Sequence, residues 1–269
     1  MHSEWSWDAV RGSMERSCSR AVELGLPSIA FTEHVDLSPR NVASPAELPL
    51  WQHDLVAGGM LQPPHLDVGG YLECIARCRS RFPQLRILTG VELGEPHRHR
   101  QHVAELLAGG GFDRVLASVH LLAARGTGHE TLDAVYRVSD PDQVARTYLL
   151  EVLRTVEEFD DFDVLAHIDY AFRRWPRAGG YPVEDFSEEY RAILTVLAAK
   201  DKLLEVNTQL PLAVEVLRWW HESGGDAIVF ASDAHRPEDV ASGFAAAADL
   251  AESAGFARPK EPHDVWHRR

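Results

Sequence analysis

The chain has 269 residues, 45% hydrophobic and 25% charged, with a formal net charge of −14, which are the proportions of a soluble globular protein. No apolar run approaches the roughly 20 residues needed to cross a bilayer, and no basic face stands out to neutralise nucleic-acid phosphates, so neither a membrane nor a nucleic acid is an expected partner. The first residues lack the regions of a signal peptide, and the odd set Cys18, Cys74 and Cys78 argues against a disulfide framework; a cytoplasmic protein with reduced structural thiols is the expectation.

A helix is expected from about Asp8 to Leu24, then an apolar strand, SIAFTEHVD, closing on Glu33 and His34. The helix YLECIARCRSRF leads to the strand LRILTGVELG, which ends near Glu92. The helix around HVAELLA precedes FDRVLASVHLL, which delivers His120. In DPDQVARTYLLEVLRTVEEF, Asp140 is an N-cap and Pro141 takes the first helical position. Val144, Tyr148, Val152 and Val156 recur every four residues there and make one apolar stripe. The strand DVLAHID brings His167, and EEYRAILTVLAAK leads to LLEVNT. LAVEVLRWWHES leads to AIVFASDAH, carrying Asp233 and His235, before a last helix, PEDVASGFAAAADLAESAG, and a polar tail.

Six short apolar strands alternating with helices imply a parallel sheet buried on both faces. The length suits an α/β barrel of about 250 residues, and with no linker or repeat the expectation is one domain over residues 1–269. Three long irregular segments, Ser38–Gly70, Leu121–Ser139 and Ala171–Ser187, each follow a strand's C-terminal end, the face where such folds hold their sites.

His34, Glu92, His120, His167, Asp233 and His235 all fall at or just beyond those strand ends. Imidazoles and carboxylates meeting at one mouth are ligands for zinc, iron or manganese, with carboxylates able to bridge ions. His97, His99 and His102 in PHRHRQH read as a solvated helix start, and His221, His263 and His267 as surface.

In this order, TEH, GVE, SVH, AHID and SDAH resemble the PHP (polymerase and histidinol phosphatase) family of metal-dependent phosphoesterases, from His2 to about Phe244. The resemblance implies a distorted seven-stranded βα barrel, TIM-like, with two to three divalent transition-metal ions (zinc, manganese or iron) at its mouth. The family's first motif is an H-x-H pair followed six residues later by another ligand; in MHSEWSWD, His2 matches the second histidine and Asp8 the later ligand. The first histidine would stand directly before Met1, so the first strand is expected to be truncated. A start placed too late is preferred over genuine loss, and the α-amine of Met1 is a candidate substitute ligand.

Carried over by position, the resemblance implies one metal held by His2, Glu92 and Asp233. Glu92 bridges to a second held by His120 and His167, and Asp8, His34 and His235 hold a third. Catalysis rests on Glu92, His120, Asp233 and His235, while Asp169 and Glu33 are candidates to orient imidazoles. The reaction implied is attack of a metal-activated hydroxide on phosphorus of a small phosphate monoester. TEHVD, GVELG, EVNT and SDAHRPEDV are similar to the histidinol-phosphatase branch, which points to L-histidinol phosphate. Arg125, Arg173 and Arg174 are candidate phosphate clamps, and Asn207 is expected to face the substrate. The alternatives are a nucleotidase or nuclease of the family, or a degenerate module without activity. The long loop from Ser38 departs from the branch and bears on the substrate.

Overall fold

The computed structural model describes every residue except Pro45, Glu47, Arg125, Pro262 and Asp264. The strands read from the sequence are β1 (Ser28–Asp36), β2 (Arg86–Gly94), β3 (Arg114–Ser118), β4 (Val164–Leu165), β5 (Leu203–Asn207) and β6 (Ala227–Ala231). They lie side by side in chain order, each pair parallel. The supposed polar tail is instead structured: β7 (Phe256–Ala257) pairs antiparallel with β8 (Trp266–Arg268), which pairs antiparallel with Ala227 and Ile228 of β6.

Parallel neighbours need long crossovers, and helices supply most of them: α1 (Met14–Glu23), α2 (Val68–Arg81), α3 (Arg100–Ala108), α4 (Leu132–Tyr136), α5 (Pro141–Glu158), α6 (Ser187–Ala199), α7 (Val214–Glu222) and α8 (Phe244–Ser253). The first helix starts later than expected because Ser13 is its N-cap, accepting from the Arg16 N–H, while the Glu4 carboxylate accepts from Met14 N–H. In α5, Asp140 accepts from the N–H groups of Asp142 and Gln143, and the stripe Val144, Tyr148, Val152 and Val156 is buried. That stripe packs on Val91, Leu93, Ala117 and Leu165 in the principal core. Met14, Cys18 and Ile75 of α1 and α2 seal Ile29, Phe31 and Ile87. All three cysteines are free and buried. On the opposite sheet face Leu116, Val164 and Ala166, with Leu203 and Val229, form a small apolar plug.

The expected seven-stranded barrel is met only in its coarser part, an α/β fold built on parallel strands. The sheet is mixed and does not close, its order running from β1 through β6 to β8 and β7. Between β1 and β6 the first residues bridge the two edges: Thr32 N–H donates to Met1 O and His2 N–H to Ala234 O, both at 2.9 Å. Alongside Met1 a cavity of about 700 Å³ opens in this slot, lined by Ile29, Ala30, Thr32, Leu88, Val229 and Phe230 among others.

Two of the three irregular segments carry a second sheet that sequence periodicity does not show. Its order is Val56–Ala57, Met60–Leu61, Arg40–Asn41, His129–Thr131, Leu121–Ala123. Strands of two or three residues are too short to display an alternation. Together they tie the loops after β1 and β3 into one cap beside the strand ends. Among the described residues no helix is long and apolar enough to cross a membrane.

Candidate metal centre

Alternation along β1 and β2 sends His34 and Asp36, and Glu92 and Gly94, to one face. The register then sets His34 beside Glu92 and Asp36 beside Gly94. His120 and His167 enter from the turns after β3 and β4, and Asp233 and His235 from the turn after β6. Asp233 holds φ at +49° and Glu95 at +45°, a left-handed conformation uncommon outside glycine and concentrated at functional sites.

These groups converge. Glu92 Oε1 lies 2.8 Å from His167 Nε2 and 3.0 Å from His120 Nε2, and Glu92 Oε2 lies 3.4 Å from His2 Nε2. His2 Nε2 is 3.1 Å from Asp233 Oδ1. Asp8 Oδ2 sits 3.6 Å from His34 Nε2 and 3.5 Å from His235 Nε2. The groupings His2–Glu92–Asp233 and Glu92–His120–His167 each bring their ligand atoms within 4.8 Å of one another, as do His2–His34–His235 and His34–Asp36–His120.

The charge pattern follows from burial and pairing. Burial disfavours the cationic form of His2, but hydrogen bonds to Asp233 and Glu92 prevail and lift it to about 10. His120 is raised well above the ordinary histidine range, burial again being overcome, here by Asp36 and Glu92. His34, its ring stacked on His2 with centroids 3.9 Å apart, falls to about 4 through burial and the His2 charge. Neighbouring imidazoles outweigh burial to hold Asp8, Glu92 and Asp233 below the carboxylate range. Such a ring of anionic oxygens and imidazoles demands positive charge at its centre, and its donor set is the one that suits zinc, manganese or iron. Among the described residues the buried Asp8 Oδ1 has no hydrogen-bond partner, which fits an atom available to an ion.

Metal uptake is therefore expected to release protons. A cation must displace the proton that His2, at about 10, retains at pH 7. Affinity should thus keep rising with pH above the 6.5 of free histidine, because below its raised value the ring stays protonated. Calorimetric Zn²⁺ titrations in buffers of different ionisation enthalpy read this release, and no release at pH 7 would refute the charge assignment.

The remaining predicted residues divide. Arg173 reaches the mouth: its Nη1 donates to Asp233 Oδ2 at 2.7 Å, while its Nε and Nη2 are buried without partners among the described residues. Arg174 does not, being exposed and paired with Asp133 at 3.6 Å. Arg125 lies outside the described residues. Asn207 is turned below the mouth, donating to Glu205 Oε1 at 2.8 Å and accepting from Gln209 N–H. Glu33 acts at one remove, accepting from Ser3 and from the Ser6 hydroxyl, whose oxygen lies 3.3 Å from His2 Nδ1. Asp169 is buried, but among the described residues its Oδ2 and His167 Nδ1 both lack partners, so Asp169 does not orient that ring through Nδ1. The Met1 amine contacts Ala30 O and Thr32 Oγ1 and is spent on the strand edge rather than on the cluster.

Sequence reasoning missed several groups. Asp36, two residues beyond His34 on the same face, could have been found by alternation. Glu205, an acid in the apolar run LLEVN, could have been too; its Oε1 accepts from His167 N–H at 3.1 Å. Glu95 accepts from the N–H groups of His120 and Leu121 and gave no local signal. Arg40, bonded to Gln52 at 3.1 Å, lines the mouth cavity of about 300 Å³ with Trp7, Tyr170 and Arg173. His97 is buried rather than solvated, 2.8 Å from Glu151 and 2.9 Å from Thr155 on α5.

A parallel α/β sheet whose strand ends gather imidazoles and carboxylates into one cluster is the architecture of a metal-dependent hydrolase. Residues 1–209 match the PHP domain, and the chain belongs to that family. It is 26% identical to a histidinol-phosphatase of Lactococcus lactis over 95% of its own length and 90% of the relative's. A probable histidinol-phosphatase of Clostridium acetobutylicum is 25% identical over 65% of this chain and 70% of the relative. Among solved structures, histidinol phosphate phosphatase of L. lactis, complexed with zinc, L-histidinol and phosphate, superposes with a TM-score of 0.77 at 24% identity, covering 96% of this chain and 92% of that one. A putative histidinol phosphatase of Listeria monocytogenes gives 0.72 at 18% identity, covering 91% and 97%.

Proposed function

We propose that this chain is a phosphatase that hydrolyses L-histidinol phosphate to L-histidinol and phosphate, acting as one catalytic unit over residues 1–269 with two to three divalent cations. The observation that carries the reading is the convergence of His2, Glu92, His120, His167 and Asp233 on one mouth edged by Arg173, whose Nε and Nη2 have no partner among the described residues. Its support from relatives is the similarity to histidinol-phosphatases along nearly the whole chain.

His2, Glu92 and Asp233 would hold one ion; Glu92, His120 and His167 a second; and Asp8, His34 and His235 a third. Bound there, divalent cations supply Lewis acidity toward phosphoryl oxygens and a source of hydroxide near neutral pH. Arg173 presents Nε and Nη2 as a fork for two phosphate oxygens, while Nη1 stays on Asp233. Arg40, held by Gln52, adds positive charge from the cap side, so the mouth suits an anion although the chain is acidic overall.

Phosphate release from L-histidinol phosphate with added Mn²⁺ or Zn²⁺ tests the reading, run beside a panel of nucleoside bisphosphates. Preference for histidinol phosphate is expected. Equal or faster turnover of the nucleotides would overturn the substrate, and no turnover of either would overturn the activity.

Arg173→Ala is expected to lower kcat/KM by about 10²-fold, the effect of losing charge-assisted hydrogen bonds of about 1.5–3 kcal/mol. Arg173→Lys should recover only part of it, because an ammonium cannot bridge two oxygens. Steady-state kinetics of the three proteins check this. Full recovery by lysine would remove the fork from the account.

A further inference from the structure

His120 must present Nε2 to Glu92 and His167 if it is to share an ion with them. Its other nitrogen, Nδ1, lies 3.0 Å from Asp36 Oδ1. A carboxylate oxygen accepts, so Nδ1 donates in this contact, and the proton that Glu92 Oε1 faces on Nε2 at 3.0 Å is the one a bound ion would displace. The second oxygen, Asp36 Oδ2, accepts from the indole N–H of Trp7 at 2.8 Å. Trp7 in turn leans on Trp51 of the cap, with ring centroids 6.1 Å apart.

The neighbouring strand reserves space for this contact. A Cβ at Gly94 would fall 2.3 Å from Asp36 Oδ1 and 3.4 Å from His120 Nδ1, so any side chain there evicts the carboxylate. Gly94 has no positive φ to explain its identity. Close approach is the reason.

We infer that Trp7 and Asp36 are positioning residues for His120, fixing its ring as the Nδ1–H tautomer with Nε2 turned toward Glu92 and His167. This rests on the proposal that His120 is a metal ligand. A carboxylate behind a ligating imidazole fixes its tautomer and orientation. Here the carboxylate is itself fixed by an indole from the opening segment of the chain, so that one short stretch supplies the ligand His2, the ligand Asp8 and the brace between them.

Titrations of the full chain with Mn²⁺, reading the free ion by electron paramagnetic resonance, test the inference without recourse to turnover. Asp36→Asn is expected to raise the Kd of the ion shared by Glu92, His120 and His167 by about 10–100-fold. Gly94→Ala should do the same from the other strand, and Trp7→Phe, which keeps the ring and deletes the N–H, should weaken binding about threefold to tenfold. Trp5→Phe is the control: its indole nitrogen is buried without a partner among the described residues, and its removal should leave Kd within twofold. In the metal-free protein, ¹⁵N–¹H correlation of the imidazoles should show a slowly exchanging His120 Nδ1 proton that is lost in Asp36→Asn. Mn²⁺ affinity within twofold of the unmodified protein in both Asp36→Asn and Trp7→Phe, or an unchanged His120 signal in Asp36→Asn, would overturn the inference while sparing the metal reading. An unmodified chain that binds no Mn²⁺ would overturn both.

Discussion

Glu92→Gln is expected to reduce turnover by about 10³-fold or more and to strip the chain of two ions together. The side chain is nearly isosteric, so the fold around it is preserved and the effect isolates charge. Glu92 Oε1 faces His120 and His167 while Oε2 faces His2, and among the described residues no other belongs to both the His2–Glu92–Asp233 and the Glu92–His120–His167 groupings. Replacing one oxygen by an amide removes an anionic group and points N–H donors at the proposed cation site. Lewis-acid stabilisation is worth several kcal/mol, and each 1.4 kcal/mol is about tenfold in rate, which sets the scale. Asp8→Asn touches only the third grouping, through His34 and His235, and should retain two ions with a smaller kinetic loss. Elemental analysis of dialysed protein with parallel kcat measurements separates the two. Full metal content and turnover within tenfold in Glu92→Gln would remove the bridging role.

How much of this was legible without coordinates depends on whether the cause was local. The parallel strands were, because strands buried on both faces must be nearly continuous apolar runs. So were His34, Glu92, His120, His167 and Asp233, because polar groups that interrupt such runs at their ends stand out. His97 was misread for the opposite reason. Its neighbours Arg98, His99 and Arg100 make a polar stretch, yet Glu151 and Thr155 come from a helix some fifty residues away to bury it. Glu95 and Arg40 are likewise defined by partners distant in sequence, the N–H groups of His120 and Leu121 and the amide of Gln52. The cap sheet left no trace, since pairing of two-residue strands is settled by the loops' tertiary contacts rather than by any period. Arg174 shows the limit of adjacency: it follows Arg173 directly, but the turn at Tyr170–Arg174 sends one guanidinium into the mouth and the other to Asp133 and solvent.

Adding a five-residue β-forming segment that ends in histidine directly before Met1 is expected to raise Tm by about 4–8 °C and tighten metal binding about tenfold. The slot is shaped for it. Met1 already sits in strand register with β1, accepting from Thr32 N–H and contacting Ala30 O through its own nitrogen, so a preceding residue would continue the ladder downward. The edge of β1 from Ser28 to Thr32 faces the slot, and β8 pairs with Ala227 and Ile228 of β6, while Val229, Phe230 and Ala231 line the same space. Side chains on a strand alternate, so a histidine placed two residues before His2 projects to its side, toward Glu92 and Asp233, while the intervening Met1 packs with Trp5 against the α1–α2 core. Burial of apolar side chains in the cavity of about 700 Å³ contributes about 1.5–3 kcal/mol each, partly offset by ordering the added backbone. A net gain of about 2 kcal/mol moves Tm by that amount in a chain of this size. A glycine–serine segment of equal length ending in the same histidine isolates the strand from the imidazole. It should gain metal affinity without the thermal gain. If the two segments raise Tm equally, or neither does, the slot between β1 and β6 does not receive a strand.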